Sequence, residues 1–350
     1  MFFPRTNSEP CFFSWGAAAF LAFIILVFHY YGYHFNEYMK PCWHNLPIWL
    51  IMTSLGISAP LLLMLRHGQN SSIAVLLLFA SLFYPERDKW SSAVLLGLAA
   101  ATKYSLLTMQ VPILILQRRW RVIIFSFAFF IVLVLSVGLW LDGIIPTFRD
   151  YVMLVVGDIK NGADSYSCKT HFAFIHIGYF RNDFLNTLMK MLLLLTYLVT
   201  LFRLWGHCKR QSEHSFIPIR LSATEWGAFT ALTLTISYHR YYDVVIFLPF
   251  VAVILIDNIF KIQKNGINKS KLFYIITLAS ILLYWATPFK LVFGVESWLG
   301  RFLQIGENVL IYSRPSMMFP LTPLIMLGTT WLFLIKANLE MTSRGEQGAF

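Results

Sequence analysis

Two apolar segments of this chain meet at "SYHRYYD" (237–243), where Tyr238, His239, Arg240, Tyr242 and Asp243 bring donors, acceptors and both signs of charge together. A second polar knot is "RHGQNSS" (66–72), in which Arg66, His67, Gln69 and Asn70 head another apolar run. The third is one cation, Lys103, set between "GLAAAT" and "YSLLTM". Lys103 and Arg240 can neutralise an oxyanion, and Gln69, Asn70 and His239 can hydrogen-bond to it. A charged side chain at the centre of a membrane helix costs about 2.5–3.5 kcal/mol. Such groups therefore face a cavity or one another. The chemistry that fits is recognition of a lipid phosphate headgroup through charge-assisted contacts, with the hydrocarbon tail lying along the apolar helices. A neutral, hydroxyl-rich partner would suit the amides and Tyr242.

Each group also has a plainer role. Asn is a favoured helix N-cap, which suits Asn70. Lys103 could extend its stem to reach an interface. His239, Arg240 and Asp243 could form a solvated turn with an internal ion pair, and tyrosines are common at membrane–water interfaces. The cluster Arg118, Arg119 and Arg121 reads as a topology signal.

Composition decides what solvent surrounds these groups. Of 350 residues, 57% are hydrophobic and 13% charged. Soluble domains average roughly 25% charged residues, so the bulk solvent is expected to be lipid. Runs such as "VIIFSFAFFIVLVLSVGLWL" (122–141) are long enough to cross a hydrocarbon core about 30 Å thick. The net charge of +11 is gathered in short clusters at the ends of apolar runs. That pattern excludes a solvent-facing nucleic-acid stripe and matches membrane topology. Cys11, Cys42, Cys168 and Cys208 are too scattered for a disulfide framework or a zinc site. No metal-ligand spacing and no cofactor motif is found. The first apolar run lacks a basic leader and a small-residue cleavage site, so it reads as a retained span.

The periodicity and run lengths predict helices over 13–32, 47–65, 70–84, 91–102, 104–117, 121–141, 186–204, 223–237, 243–260, 272–289 and 318–336. This is an all-α, polytopic membrane protein with about 10–11 membrane helices, one transmembrane domain over 1–350, and an outer-face loop at 142–185. Basic loops "QRRWR" (117–121), "HCKR" (207–210) and "KIQKNGINKSK" (261–271) mark the cytoplasmic face by the positive-inside rule. "PERDKW" (85–90) should lie there too. A single span between it and "QRRWR" would separate the two. A hairpin of two half-length helices folded at "ATKYS" (101–105) keeps them together and puts Lys103 at its tip. Each arm would be about 20 Å long, so the tip needs protein or a water-filled cavity around it. The remaining polar clusters and the N-terminus then fall outside. No internal repeat is visible, which weighs against a transporter built from repeats.

The stretch 67–121 carries Gly68-Gln69-Asn70, a Gly-rich segment from Gly97 to Lys103, and Arg118-Arg119-Trp120-Arg121. In this order and spacing it resembles bacterial glycosyltransferase family 87, polyprenyl-phosphate-dependent sugar transferases of the GT-C type. The segment "SYHRYYDVVIFLP" resembles that family's later Ser-Pro-x-x-x-Tyr-Asp element, with Tyr238 in place of Pro. Asn70 sits one place early, and Tyr104 stands where a Pro often follows the Lys. The resemblance covers roughly residues 45–260. It implies transfer of a sugar from a polyprenyl-phosphate donor to an envelope glycan or lipid acceptor at the outer face of the bacterial inner membrane. The implied step is displacement at the anomeric carbon, with a carboxylate as general base and cations on the leaving phosphate.

GT-C enzymes usually carry the key acid in a first outer loop after an initial helix. Only "MFFPRTNSEPC" precedes the first span here, so that helix and loop are expected to be missing. Asp243, Asp150 and Asp158 are the candidate catalytic carboxylates, and the residues do not choose among them. Gln69, Asn70, Lys103, His239, Arg240 and Tyr242 are the candidate lipid-phosphate and substrate contacts. Two other functions use the same cations without catalysis: a flippase or carrier for a lipid-linked precursor, and a non-catalytic subunit.

Overall fold

A computed structural model of the chain describes residues 9–33, 45–66, 70–83, 89–103, 110–140, 183–212, 221–236, 241–266, 269–288 and 322–347, with short pieces between 143 and 153 and between 290 and 299. These residues are helical, in the order α1 Glu9–Tyr30, α2 Leu46–Gly56, α3 Ala59–Arg66, α4 Ser71–Phe83, α5 Lys89–Thr102, α6 Gln110–Leu116 and α7 Trp120–Trp140. Then follow α8 Asp183–Ser212, α9 Ala223–Ile236, a 3-10 turn Tyr241–Ile246, α10 Leu248–Asn265, α11 Lys269–Ala286 and α12 Thr322–Gln347. The all-α membrane fold expected from composition is what forms.

α10 is the hub. Every residue from Asp243 to Ile256 is buried, as a helix that is apolar all round requires. Phe79 joins it to α1 and α4, with ring centroids 5.2 Å from Phe23 and 5.1 Å from Phe250. Helices α9 and α12 pack together beside it, and within their interface the Thr235 and Thr330 hydroxyls share a hydrogen bond of 2.7 Å. By contrast, only 17% of the span in α7 and 22% of that in α8 is buried within the protein, against 44% in α12. With mean hydropathies of 2.9 and 1.6, the faces that α7 and α8 leave uncovered are lipid-facing. Among the described residues, α7, α8 and α12 are each long and apolar enough to cross a membrane, and the bent pair α2–α3 makes a fourth.

That bend corrects the helix expected over 47–65. The chain breaks at Ile57 and Ser58 and turns by 40°. Pro60 lacks the N–H that a continuous helix would bond to the Gly56 carbonyl, and its ring would clash with that carbonyl. The new helix restarts from Ser58, whose carbonyl accepts from Leu62 N at 3.0 Å. The helix expected from 243 also differs. Residues 241–246 form the 3-10 turn, and α10 starts at Leu248 with Pro249 in its first turn, where a missing N–H is harmless. Gly266 ends α10 at φ +78°, a conformation glycine adopts freely. At the start of α9, Ser222 and Glu225 form a reciprocal capping box: Ser222 N donates to Glu225 at 2.5 Å and Glu225 N to Ser222 Oγ at 3.2 Å.

The expected hairpin is present in its described parts. Arm α5 is 14 residues long, about 21 Å, and α6 returns toward α7; residues 104–109 of the tip lie outside the described residues. Both flanks of the hairpin share one end of the bundle: Trp90 stacks on Phe125 at 4.2 Å, and Arg119 donates to Ser81 O at 3.3 Å.

Candidate functional site

The opposite end of the α4–α5 pair brings the polar groups together. Because α4 and α5 are antiparallel, the N-terminus of α4 and the C-terminus of α5 lie side by side. Ser71 is the first residue of α4. Lys103 follows the last residue of α5, its backbone N still bonded to Ala99 O at 2.8 Å. The 3-10 turn packs against α3 and α4 and delivers Asp243. The Lys103 ammonium forms an ion pair with Asp243 Oδ1, and Ser71 Oγ donates to the same oxygen at 2.8 Å. Lys103 also donates to Ser71 Oγ at 3.0 Å, closing a triangle of three elements.

Helix dipoles favour this arrangement. An acid is stabilised at a helix N-terminus and a cation at a C-terminus, which is how Asp243 meets α4 and how Lys103 leaves α5. The Asp243 side chain is 2% exposed and that of Lys103 22%. The carboxylate is thus enclosed, while the lysine reaches the surface of the cluster. Lys103 donates to both oxygen atoms, so it is not placed as a base for Ser71. A serine nucleophile needs an adjacent base that takes its proton; here Ser71 accepts from the cation instead. The triangle can hold one positive charge at a fixed point.

Lys103 and Asp243 are therefore in contact, and Asn70 precedes Ser71 at the start of α4, its carbonyl accepting from Ala74 N at 3.0 Å. The lone cation expected at Lys103 is corrected: it has a buried counter-ion. Tyr242 lies in the 3-10 turn. Asp150 takes no part in the triangle: its side chain is 72% exposed and paired with its neighbour Arg149 at 3.4 Å. Gln69, His239, Arg240 and Asp158 lie outside the described residues. Ser71 is the member that sequence reasoning misses. Its signal is present, a serine directly after the Asn70 helix start, but serine in an apolar run has many neutral roles. No group of three or more metal-ligating side chains occurs among the described residues.

The second polar region lies at the far end, past Tyr30, Phe83 and Glu225. There Lys261, Lys271, Lys336 and Glu340 surround a cavity of about 480 Å³.

Fold and site together define a helical membrane protein that holds a fixed cation where three helix ends meet. The chain belongs to glycosyltransferase family 87, whose match runs over residues 2–237 and takes in both Ser71 and Lys103. No curated protein and no solved structure matches it.

Proposed function

We propose that the protein transfers a sugar from a polyprenyl-phosphate donor to a glycan or lipid acceptor at the outer face of the bacterial inner membrane. The observation that carries this reading is the Ser71–Lys103–Asp243 triangle, a partly exposed cation fixed at the end of an apolar bundle. Lys103 meets the donor phosphate, and Gln69, Asn70, His239, Arg240 and Tyr242, sequence neighbours of Ser71 and Asp243, are the further substrate contacts of this reading. Asp243 and Ser71 hold Lys103 in position. In the transfer the acceptor oxygen bonds to the anomeric carbon, and the carbon–oxygen bond to the phosphate breaks. The electron pair stays on the phosphate, whose added charge Lys103 stabilises. Asp243 is already engaged by two donors, so the acceptor's proton goes to a carboxylate of the 142–185 loop, Asp150 or Asp158. The basic clusters supply the orientation: those at the cavity end face the cytoplasm, leaving Lys103 on the outer side.

The test is a reconstituted assay with labelled polyprenyl-phosphate sugar in proteoliposomes. Lys103→Ala is expected to lower transfer at least a hundredfold, in line with removal of one preorganised charge contact, while the protein still inserts. Unchanged transfer in Lys103→Ala would remove the assignment. Movement of the labelled donor between leaflets without sugar transfer would replace it with a flippase.

A further inference from the structure

The cavity at the cytoplasmic end plays no part in that reaction, and it is built for an anion. Its volume of about 480 Å³ is many times the roughly 30 Å³ share of a liquid water molecule and falls within the range of ligand sites. The charges in its wall do not cancel. Asp257 is paired with Lys261, one turn along α10, at 2.5 Å. Glu340 takes one hydroxyl on each oxygen, from Ser222 at 3.2 Å and Thr224 at 3.1 Å. Both acids are thus hydrogen-bonded within the wall, where three lysines face two carboxylates and leave a net charge of +1. Lys271 of α11 and Lys336 of α12 remain, half-buried and facing the same space. Among the described contacts, Lys336 has the Tyr274 ring 5.5 Å away, a cation–π contact that leaves its charge in place.

The surroundings say what kind of anion. One helical turn from the two lysines toward the middle of the bundle, Ile275 of α11 and Leu332 of α12 are half-buried. A ligand whose phosphate sits between Lys271 and Lys336 can lay a hydrocarbon chain along those residues. The mouth is polar, with the half-exposed Asp257–Lys261 pair, as the headgroup level of a bilayer requires. We propose that this cavity binds the phosphodiester headgroup of an anionic phospholipid of the cytoplasmic leaflet, with Lys271 and Lys336 as its charge contacts.

Full-length protein in phosphatidylcholine nanodiscs doped with phosphatidylglycerol tests this, by measuring the phosphatidylglycerol retained after detergent extraction. The wild type is expected to retain phosphatidylglycerol over phosphatidylcholine. Lys271→Ala with Lys336→Ala should lower that preference roughly 25-fold, taking about fivefold for each lysine near a charged surface. Lys271→Gln alone, the fallback should the double variant not fold, should lower it about fivefold. The Arg variants of both positions should keep it. Arg118→Ala with Arg121→Ala removes the same charge from exposed positions at the same end and should lower the preference less than the loss of Lys271 and Lys336. Wild-type retention in the Lys271/Lys336 variant overturns the proposal, as does equal loss in the Arg118/Arg121 control. Binding of millimolar inorganic phosphate that needs both lysines, without any phosphatidylglycerol preference, would assign the cavity to a soluble phosphate and overturn the lipid.

Discussion

Each end of the bundle carries a lysine–aspartate pair, and the two pairs live in different solvents. Lys103 and Asp243 lie 140 residues apart in sequence; the carboxylate is enclosed among α3, α4 and α5, and the lysine side chain is 22% exposed. Lys261 and Asp257 are one turn apart on α10, with side chains 55% and 41% exposed. Water already satisfies the second pair, so each partner can lose the other cheaply. In the first pair the carboxylate has exchanged water for protein, and it depends on Lys103 and Ser71 as its partners. A pair of that kind is a poor stabiliser and is explained better by a need to keep one charge at one point.

The largest effect that separates the two ends should come from Asp243→Ala. Removing one partner of a buried pair leaves an uncompensated charge, at a cost of about 3–5 kcal/mol. Thermal unfolding in detergent should show a large drop, and sugar transfer should fall with it. The double variant Lys103→Met, Asp243→Leu sharpens the point. It should recover most of the stability while transfer stays abolished, because the apolar pair repairs the packing and not the charge. Recovery of transfer in that variant would mean that the pair is structural only.

Ser71→Ala comes next. It removes a donor to the Asp243 carboxylate and an acceptor for Lys103, and hydrogen bonds to charged groups contribute about 1.5–3 kcal/mol. The expected outcome is a moderate loss of stability with a larger loss of donor affinity, seen as a raised KM in the transfer assay. An unchanged KM would separate Ser71 from the positioning of Lys103.

Gly97→Ala probes the same end through packing alone. An added Cβ would meet Phe129 Cδ1 at 2.8 Å and the Ser126 carbonyl oxygen at 2.9 Å. The backbone of α7 cannot step aside as a flexible side chain would, so α5 and α7 must separate, at about 1–3 kcal/mol. Since Lys103 ends α5, transfer should fall as the helix shifts. Gly266 at the far end, with open space around it but φ +78°, is the contrasting glycine. Its constraint is conformational and has no link to Lys103.

Why some of this can be read from sequence and some cannot follows from range. Charges stranded between apolar runs are local facts, so Lys103 and the 239–243 turn stand out from the order of residues alone. Their pairing is a tertiary fact; nothing within a few residues of Lys103 names Asp243 as its counter-ion. Ser71 is hidden for the same reason. The α2–α3 break has its cause in plain view at Pro60, but hydropathy runs smoothly through it from Pro47 to Leu65, and run length alone reads one helix. The end of α12 fails in the opposite sense. "KANLEMTSRGEQ" is too polar to extend a span, so hydropathy stops the helix at 336; the backbone continues to Gln347. Good helix formers carry it, and Glu340 to Ser222 and Thr224 tie it down, as does Arg203 to Asn338 O at 3.4 Å.

The smallest effect belongs to the exposed pair. Asp257→Asn breaks the ion pair with Lys261 but leaves the lysine in contact with water, so its cost is about 0.3–0.5 kcal/mol. That is close to the limit of a thermal unfolding measurement and calls for a salt series. At low ionic strength a small destabilisation should be resolved. As the Debye length shortens to about 3 Å near 1 M salt, it should vanish, whereas the cost of Asp243→Ala should persist because its site excludes the ions that screen. Equal salt sensitivity at the two positions would show that burial is not what distinguishes them. The Ser71–Lys103–Asp243 triangle would then be as hydrated as the surface pair, and its lysine no better fixed.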